Sequence, residues 1–142
     1  MASNNERLLF AAKNDNEDLI LEIFGKPGSF NINYIDGLGN TALHYAASKG
    51  SIYVLEHILS HEDCDVDPIN RLEKATPLHL AVKISDPELR FHVVESLLEA
   101  GADTKIKDKW GTIAIDLVPA NDERTRGAFR LAQVANQISY LM

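Results

Sequence analysis

The feature that most constrains this chain is a stretch that returns. Asp36 to Gly50 reads DGLGNTALHYAASKG, Thr76 opens TPLHLAV, and Asp108 opens DKWGTIAIDLV. The cores of the three copies, Thr41-Ala-Leu-His, Thr76-Pro-Leu-His and Ile113-Ala-Ile-Asp, stand 35 and 37 residues apart. Thr76 followed by Pro77 is a helix start. The threonine hydroxyl caps free backbone N–H groups, and proline at the first helical position gives up a donor that had no partner. His79 falls at the third helical position, from which a side chain can reach back to the cap. Thr41 and His44 repeat the arrangement, with Ala42 in place of proline. Leu43, Ala46 and Ala47 share one helix face, and the small alanines let a neighbouring helix approach closely. Gly50 ends the helix, because glycine tolerates the left-handed conformation needed there. Ile52, Leu55, Ile58 and Leu59 then form a second apolar stripe. Each copy is a short helical hairpin plus a turn carrying Asp36 and Gly39. One such hairpin cannot bury its own apolar face, whereas stacked copies can.

A period this near ~33 residues with a T-P-L-H core resembles the ankyrin repeat. The resemblance runs from about Asn4 to the C-terminus. It implies an all-α fold, an ankyrin-repeat solenoid of about four helix-turn-helix repeats with β-turn fingers and helical caps. The whole chain, 1–142, is then one ankyrin-repeat domain, with a capping repeat over 4–35, repeats over 36–70 and 71–107, and a final capping repeat over 108–142. An array of this size with a worn first repeat also resembles small stand-alone ankyrin proteins of fungi, a likeness that adds no activity.

The first repeat lacks the TPLH start. Arg7-Leu8-Leu9-Phe10-Ala11-Ala12 matches the first helix, with Leu9 where the later copies have histidine. Leu19, Ile20, Ile23 and Phe24 make the second helix. In repeat three, Lys74 stands where the family has glycine, so a distorted turn is expected. Asp86-Pro87-Glu88 is a second cap-and-start signal, predicting a helix from Pro87 to about Ala100 with Phe91, Val94, Leu97 and Leu98 on its buried face. In repeat four, Ile113 and Asp116 replace the threonine and histidine, and Pro119 shortens the first helix. Asn121 or Asp122 should cap a long amphipathic helix from Glu123 to Leu141. Its apolar side carries Phe129, Val134, Ile138 and Leu141, with Leu131 and Ala135, and is expected to cover the open end of the stack. Arg124, Arg126 and Arg130 are expected on its wet side.

Composition narrows the function. Charged residues make up 25% of the chain and apolar ones 45%, as in an ordinary globular protein. No run of ~18 apolar residues suggests a membrane span, and MASNNERLLF does not read as a secretory leader. The lone Cys64 fits a reducing compartment, cytoplasm or nucleus. Net charge is −7, with 17 acidic and 8 basic side chains in residues 1–103 against 4 acidic and 6 basic in 104–142. Direct nucleic-acid binding is not expected, since phosphate contacts need a basic stripe.

No constellation supports catalysis, and no cofactor or metal is expected. His44 and His79 occupy the same repeat position and read as structural. His57, His61 and His92 read as exposed helix residues. Cys64 lies in an acidic loop that raises its pKa, and the run His61 to Asp67 matches no metal-site spacing. The function expected is a non-catalytic adaptor or scaffold that binds another protein, from a chain that is itself a monomer. The family resemblance places such binding on the fingers and the concave face of first helices. Carried onto this chain, those positions include Tyr34, Leu38, Asn40, Ser48 and Lys49, then Arg71, Leu72, Glu73, Lys83 and Ile84, then Lys107, Lys109, Trp110 and Thr112. Trp110 stands out, because a finger-tip tryptophan has no evident core role and tryptophan is enriched among interface hot spots. Packing against a following finger is the competing account of it. Lys105, Lys107 and Lys109 form an alternating basic strip that suits an acidic peptide. The alternative function is an acidic chaperone or inhibitor that shields a basic client through Glu62, Asp63 and Asp65.

Overall fold

The computed structural model describes residues 2–141. Among the described residues seven α-helices follow one another: α1 (Asn4–Asn14), α2 (Glu17–Phe24), α3 (Ala42–Lys49), α4 (Ile52–Leu59), α5 (Pro77–Ala81), α6 (Pro87–Glu99) and α7 (Glu123–Leu141). A short 3-10 helix, Ala114–Leu117, lies between α6 and α7. There is no strand among the described residues. The helices stack in two rows. The first helices α1, α3, α5 and the 3-10 helix pack side by side, and α2, α4, α6 and α7 form the second row behind them. The apolar stripes meet between the rows, with Leu8, Ile20, Leu43, Leu55, Leu78, Val94 and Leu97 in one continuous core.

Both TxxH starts form the reciprocal cap expected of them. The Thr41 hydroxyl accepts the His44 amide at 3.2 Å while the Thr41 amide donates to His44 Nδ1 at 3.0 Å. Thr76 and His79 repeat this at 3.2 Å in each direction. Neighbouring layers also cap each other. Asp15, in the left-handed conformation after α1, accepts the Val54 amide at 3.0 Å. It thereby caps the start of α4, where Ser51 makes no side-chain cap. The Ser51 hydroxyl instead donates to the Ala12 carbonyl at 2.6 Å.

Several expectations change. Lys74 sits in a turn whose expected distortion is one of length. It takes the left-handed conformation (φ 51°) that Gly39 and Gly111 supply in the other two turns, and the turn holds one residue more. In α6, Arg90 is buried beside Val93, Val94 and Leu97, while Phe91 is only half-buried. The half-buried Phe91 lies beneath the Arg124 guanidinium, 3.9 Å from its ring centre. Arg126 is not on a wet face but donates to the Val118 carbonyl at 2.9 Å. His61 lies beyond the end of α4 and packs edge-on against Phe24 and Phe30, while half-buried His57 reaches Glu17 at 3.0 Å. His92 is exposed on α6 as expected.

The largest correction concerns α7. Phe129 is fully buried, but Leu131, Val134, Ile138 and Leu141 are exposed, Leu131 by 73% and Leu141 by 82%. α7 is 19 residues and α6 only 13. At 1.5 Å per residue the longer helix outruns its support by about two turns, which leaves Ile138 and Leu141 uncovered, while Leu131 and Val134 lie within the supported length on a side that no helix covers among the described residues.

Candidate functional site

Three turns project from the junctions between layers as fingers, 36–40, 70–75 and 108–112. Each is built on a single side chain at its base. Asp36 Oδ1 accepts the amides of Leu38 and Asn40 at 2.9 and 3.0 Å. Asp108 Oδ1 accepts those of Trp110 and Thr112 at 2.9 and 3.0 Å. Asn70 does the same in the longer finger, accepting from Glu73 and Ala75 at 3.3 and 3.1 Å. Such Asx-type bonding holds a tight turn without a sheet partner.

The fingers are tied in a row. The Arg71 amide donates to the Leu38 carbonyl at 3.0 Å, and the Lys109 amide to the Glu73 carbonyl at 2.8 Å. The Asn70 side chain donates to Asn40 at 3.1 Å and Arg71 to the Gly37 carbonyl at 3.0 Å. Gly39 has two reasons to be glycine: its φ is 77°, and a Cβ there would stand 2.8 Å from Arg71 Cγ.

This bonding fixes what the tips present. Leu38, Leu72 and Trp110 each sit two residues past the base residue, and they are 51%, 67% and 63% exposed. No finger packs on Trp110 among the described residues, and its ring stands in water. The Lys109 ammonium lies 5.2 Å from the centre of the Trp110 ring. Arg71, Lys49, Lys83, Lys107, Lys109 and Ser48 are exposed, and Tyr34, Asn40, Glu73, Ile84 and Thr112 are half-buried. Of these, Asn40 and Thr112 serve the fingers: Asn40 holds Asn70, and the Thr112 carbonyl receives His79.

Beneath the fingers runs the outer side of the first helices. Phe10, Tyr45, Leu80 and Leu117 take equivalent places in their layers, Phe10 exposed and the others half-buried. Tyr45 donates its hydroxyl to Asp36. Burial alone would raise the Asp36 carboxyl, but Tyr45 and the Asn40 and Leu38 amides outweigh it and hold its pKa below the usual value. The Lys13 ammonium rests 4.6 Å from the Tyr45 ring centre. An open hollow of about 560 Å³ lies here, lined by Phe10, Lys13 and Asp36 among others.

The residues that sequence reasoning set aside as non-catalytic have structural work. Through Nε2, His44 bonds the Ala75 carbonyl and His79 the Thr112 carbonyl, each at 2.9 Å. Since Nδ1 of each accepts a backbone N–H, the bonding assigns the proton to Nε2. Burial lowers the His44 pKa against the opposing pull of the Ala75 and Pro68 carbonyls. Burial, ahead of the neighbouring Asp65, pushes the Cys64 thiol up to about 11, which makes it a poor nucleophile. Asp67 accepts the Asp103 amide at 3.0 Å and so ties two loops together. No group of three or more potential metal ligands gathers among the described residues.

What sequence reasoning missed is the buried pair of Arg90 and Asp122. Arg90 Nε donates to Asp122 at 2.7 Å, with both side chains more than nine-tenths buried. Arg90 also donates to the Ile84 carbonyl at 2.7 Å, and Asp122 caps α7 through the Thr125 amide at 3.0 Å. Burial would raise the Asp122 carboxyl, but Thr125 and Arg90 outweigh it and keep it low. The only sequence signal was Asp122 as a cap; its partner lies 32 residues away.

The family model for ankyrin repeats, three copies, matches residues 8–108. The chain therefore belongs to the ankyrin-repeat family. It is 34% identical over 131 residues to an ankyrin repeat-containing protein of Saccharomyces cerevisiae, covering 85% of this chain and 72% of the yeast one. It is 29% identical over 120 residues to an ankyrin repeat protein of Escherichia coli, covering 84% of this chain and 57% of that protein. A 90-residue match at 29% identity falls on an E3 ubiquitin-protein ligase of Caenorhabditis elegans, of which it covers 3%. Ankyrin repeats are general protein–protein interaction modules and are typically non-catalytic. No helix among the described residues is long and apolar enough to cross a membrane.

Proposed function

We propose that this chain is a non-catalytic adaptor or scaffold that holds a partner protein against its finger tips and the first-helix face beneath them. The observation that carries this reading is the row Leu38, Leu72 and Trp110. Three large apolar side chains stand in water at the same place in three successive fingers, on turns locked by backbone bonds. Isolated exposed apolar residues need no explanation, but a regular row on a rigid support matches the aromatic and aliphatic anchors of protein interfaces. The candidate residues Tyr34, Lys49, Arg71, Glu73, Lys83, Lys107 and Lys109 would form its polar rim.

The test is affinity capture from cell extract with four forms of the protein: unchanged, Trp110→Ala, Leu72→Ser, and Leu131→Ser as a control on the far surface of α7. Partners lost with both finger variants and kept with the control support the reading. Partners indifferent to both finger variants sink it.

A second reading, shielding of a basic client, draws on a different observation. Outside the first helices and fingers the chain holds sixteen acidic side chains against seven basic ones. Reversing charge at Glu62, Asp63 and Asp65 would then weaken capture while Trp110→Ala would not.

A further inference from the structure

The net charge of −7 conceals a division between two faces. The first helices and fingers (4–14, 36–49, 70–83 and 108–117) hold seven basic and five acidic side chains, while everything else holds seven basic and sixteen acidic. The acidic groups on the first face are also largely engaged. Asp36 is bound by Tyr45 and by two backbone amides. Asp108 is buried in its finger. Glu73 faces Lys83 at 3.5 Å. Glu6 stands at the first turn of α1, and Asp116 is exposed on the 3-10 helix.

Two of the basic groups fall in register and a third lies beside them. Lys13 and Lys83 occupy the same position in the first and third layers, and Lys49 lies one residue beyond it in the second. Lys13 sits under the first finger against Tyr45, and Lys83 under the second against Glu73. Arg71 and Lys109 follow the bases of the second and third fingers. A basic track thus runs parallel to two apolar ones, Phe10 to Leu117 below and Leu38 to Trp110 above.

We infer that the occupant of this face is an acidic, extended segment of a partner protein, with one apolar and one acidic side chain in each three residues. The inference rests on the function proposed above and specifies its partner. Charge selects the sign, because Lys13, Lys49 and Lys109 make no ion pair among the described residues and would gain a counter-ion, while a basic segment would meet repulsion. Spacing selects the conformation. Packed helices repeat at roughly 8–10 Å, and a polyproline II chain turns once every three residues, rising about 9 Å. Its same-face side chains therefore step from layer to layer in phase with the repeats, whereas a β-strand, with its period of two, does not.

The experiment uses the full chain and three dye-labelled peptides read by fluorescence anisotropy. One is built of repeated Glu-Leu-Pro triplets, one of Lys-Leu-Pro triplets, and one has the first peptide's composition with the triplet order scrambled. The Glu-Leu-Pro peptide should bind at least about ten-fold more tightly than either of the others. Its affinity should fall as salt rises through the range where the screening length drops below about 8 Å. Lys83→Glu with Lys49→Glu should abolish that preference while circular dichroism and the melting temperature stay unchanged. Equal binding of the acidic and basic peptides, with both lost on Trp110→Ala, would overturn the inference and leave the proposed function standing. Binding of none of the peptides, or binding indifferent to both the lysine and the tryptophan changes, would overturn the inference as well. In that case the capture experiment decides the function separately.

Discussion

Between the second and third layers, and again between the third and fourth, a buried imidazole spans the gap. His44 reaches the Ala75 carbonyl and His79 the Thr112 carbonyl, each capping its own helix through the other ring nitrogen. At the C-terminal end the same position holds Asp116, which is exposed and bridges nothing among the described contacts. There the closing helix is fastened from the other row, by Arg90 on α6 and Asp122 at the head of α7. The middle of the stack is joined by neutral hydrogen bonds that repeat with the sequence. The end is joined by one buried ion pair that does not repeat. A neutral bridge suits an interior joint, since it needs no desolvated charge. The ion pair tolerates burial because Arg90 and Asp122 each have a second partner, the Ile84 carbonyl and the Thr125 amide.

Breaking the terminal fastening should have the largest effect. Arg90→Ala leaves Asp122 buried without its cation and should cost about 3 kcal/mol or more in urea unfolding. Within α7 itself, Phe129→Ala should cost about 3 kcal/mol or more, and Leu131→Ala within about 0.5 kcal/mol of nothing. Similar losses for the two would mean that the outer side of the helix is packed after all.

His79→Ala should come next, at about 2 kcal/mol, for the loss of a cap and a buried bond together. The histidine joint also predicts a pH dependence. His44 has a folded pKa below its unfolded value of about 6.5, so the unfolded chain binds its proton more readily. Its contribution is complete above that pH and is lost as pH falls from about 6.5 toward the lower folded value. The Asp122 contribution, from a depressed carboxyl, persists through this range. It is lost only as pH falls below the usual aspartate value of about 3.9. His44→Gln, which can still cap, should flatten the near-neutral arm of a urea-midpoint profile and leave the acid arm in place.

The smallest effect tests the comparison most closely. Ile113→Thr with Asp116→His restores the repeat signature at the end of the stack. It should add no more than about 1 kcal/mol, the worth of a cap, because no further finger among the described residues offers a carbonyl to Nε2. A gain near that of a full joint would show that the position matters more than its partner.

Short-range physics made most of the fold legible. Thr76-Pro77 and Thr41 named two helix starts to the residue, and Asp86-Pro87 a third, because a cap and its helix lie within a few residues of each other. Gly39 marked a turn for the same reason. The 35- and 37-residue spacings gave the stacking, since one hairpin's apolar face demands another. The exposure of the finger tips was expected from the family likeness, but their rigidity was not, because it depends on bonds such as Arg71 to Leu38 between residues 33 apart.

Only the tertiary structure decided where the stack stops being covered. The apolar spacing of Phe129, Val134, Ile138 and Leu141 is the same whether or not another helix lies beside it. α7 has α6 on one side and no helix on the other among the described residues, and its own pattern carries no record of that. Only the fold, likewise, paired Arg90 with Asp122 and set Lys13 against Tyr45 and Lys83 against Glu73. Charge along a chain is a list, and which members of the list share a face is settled by packing.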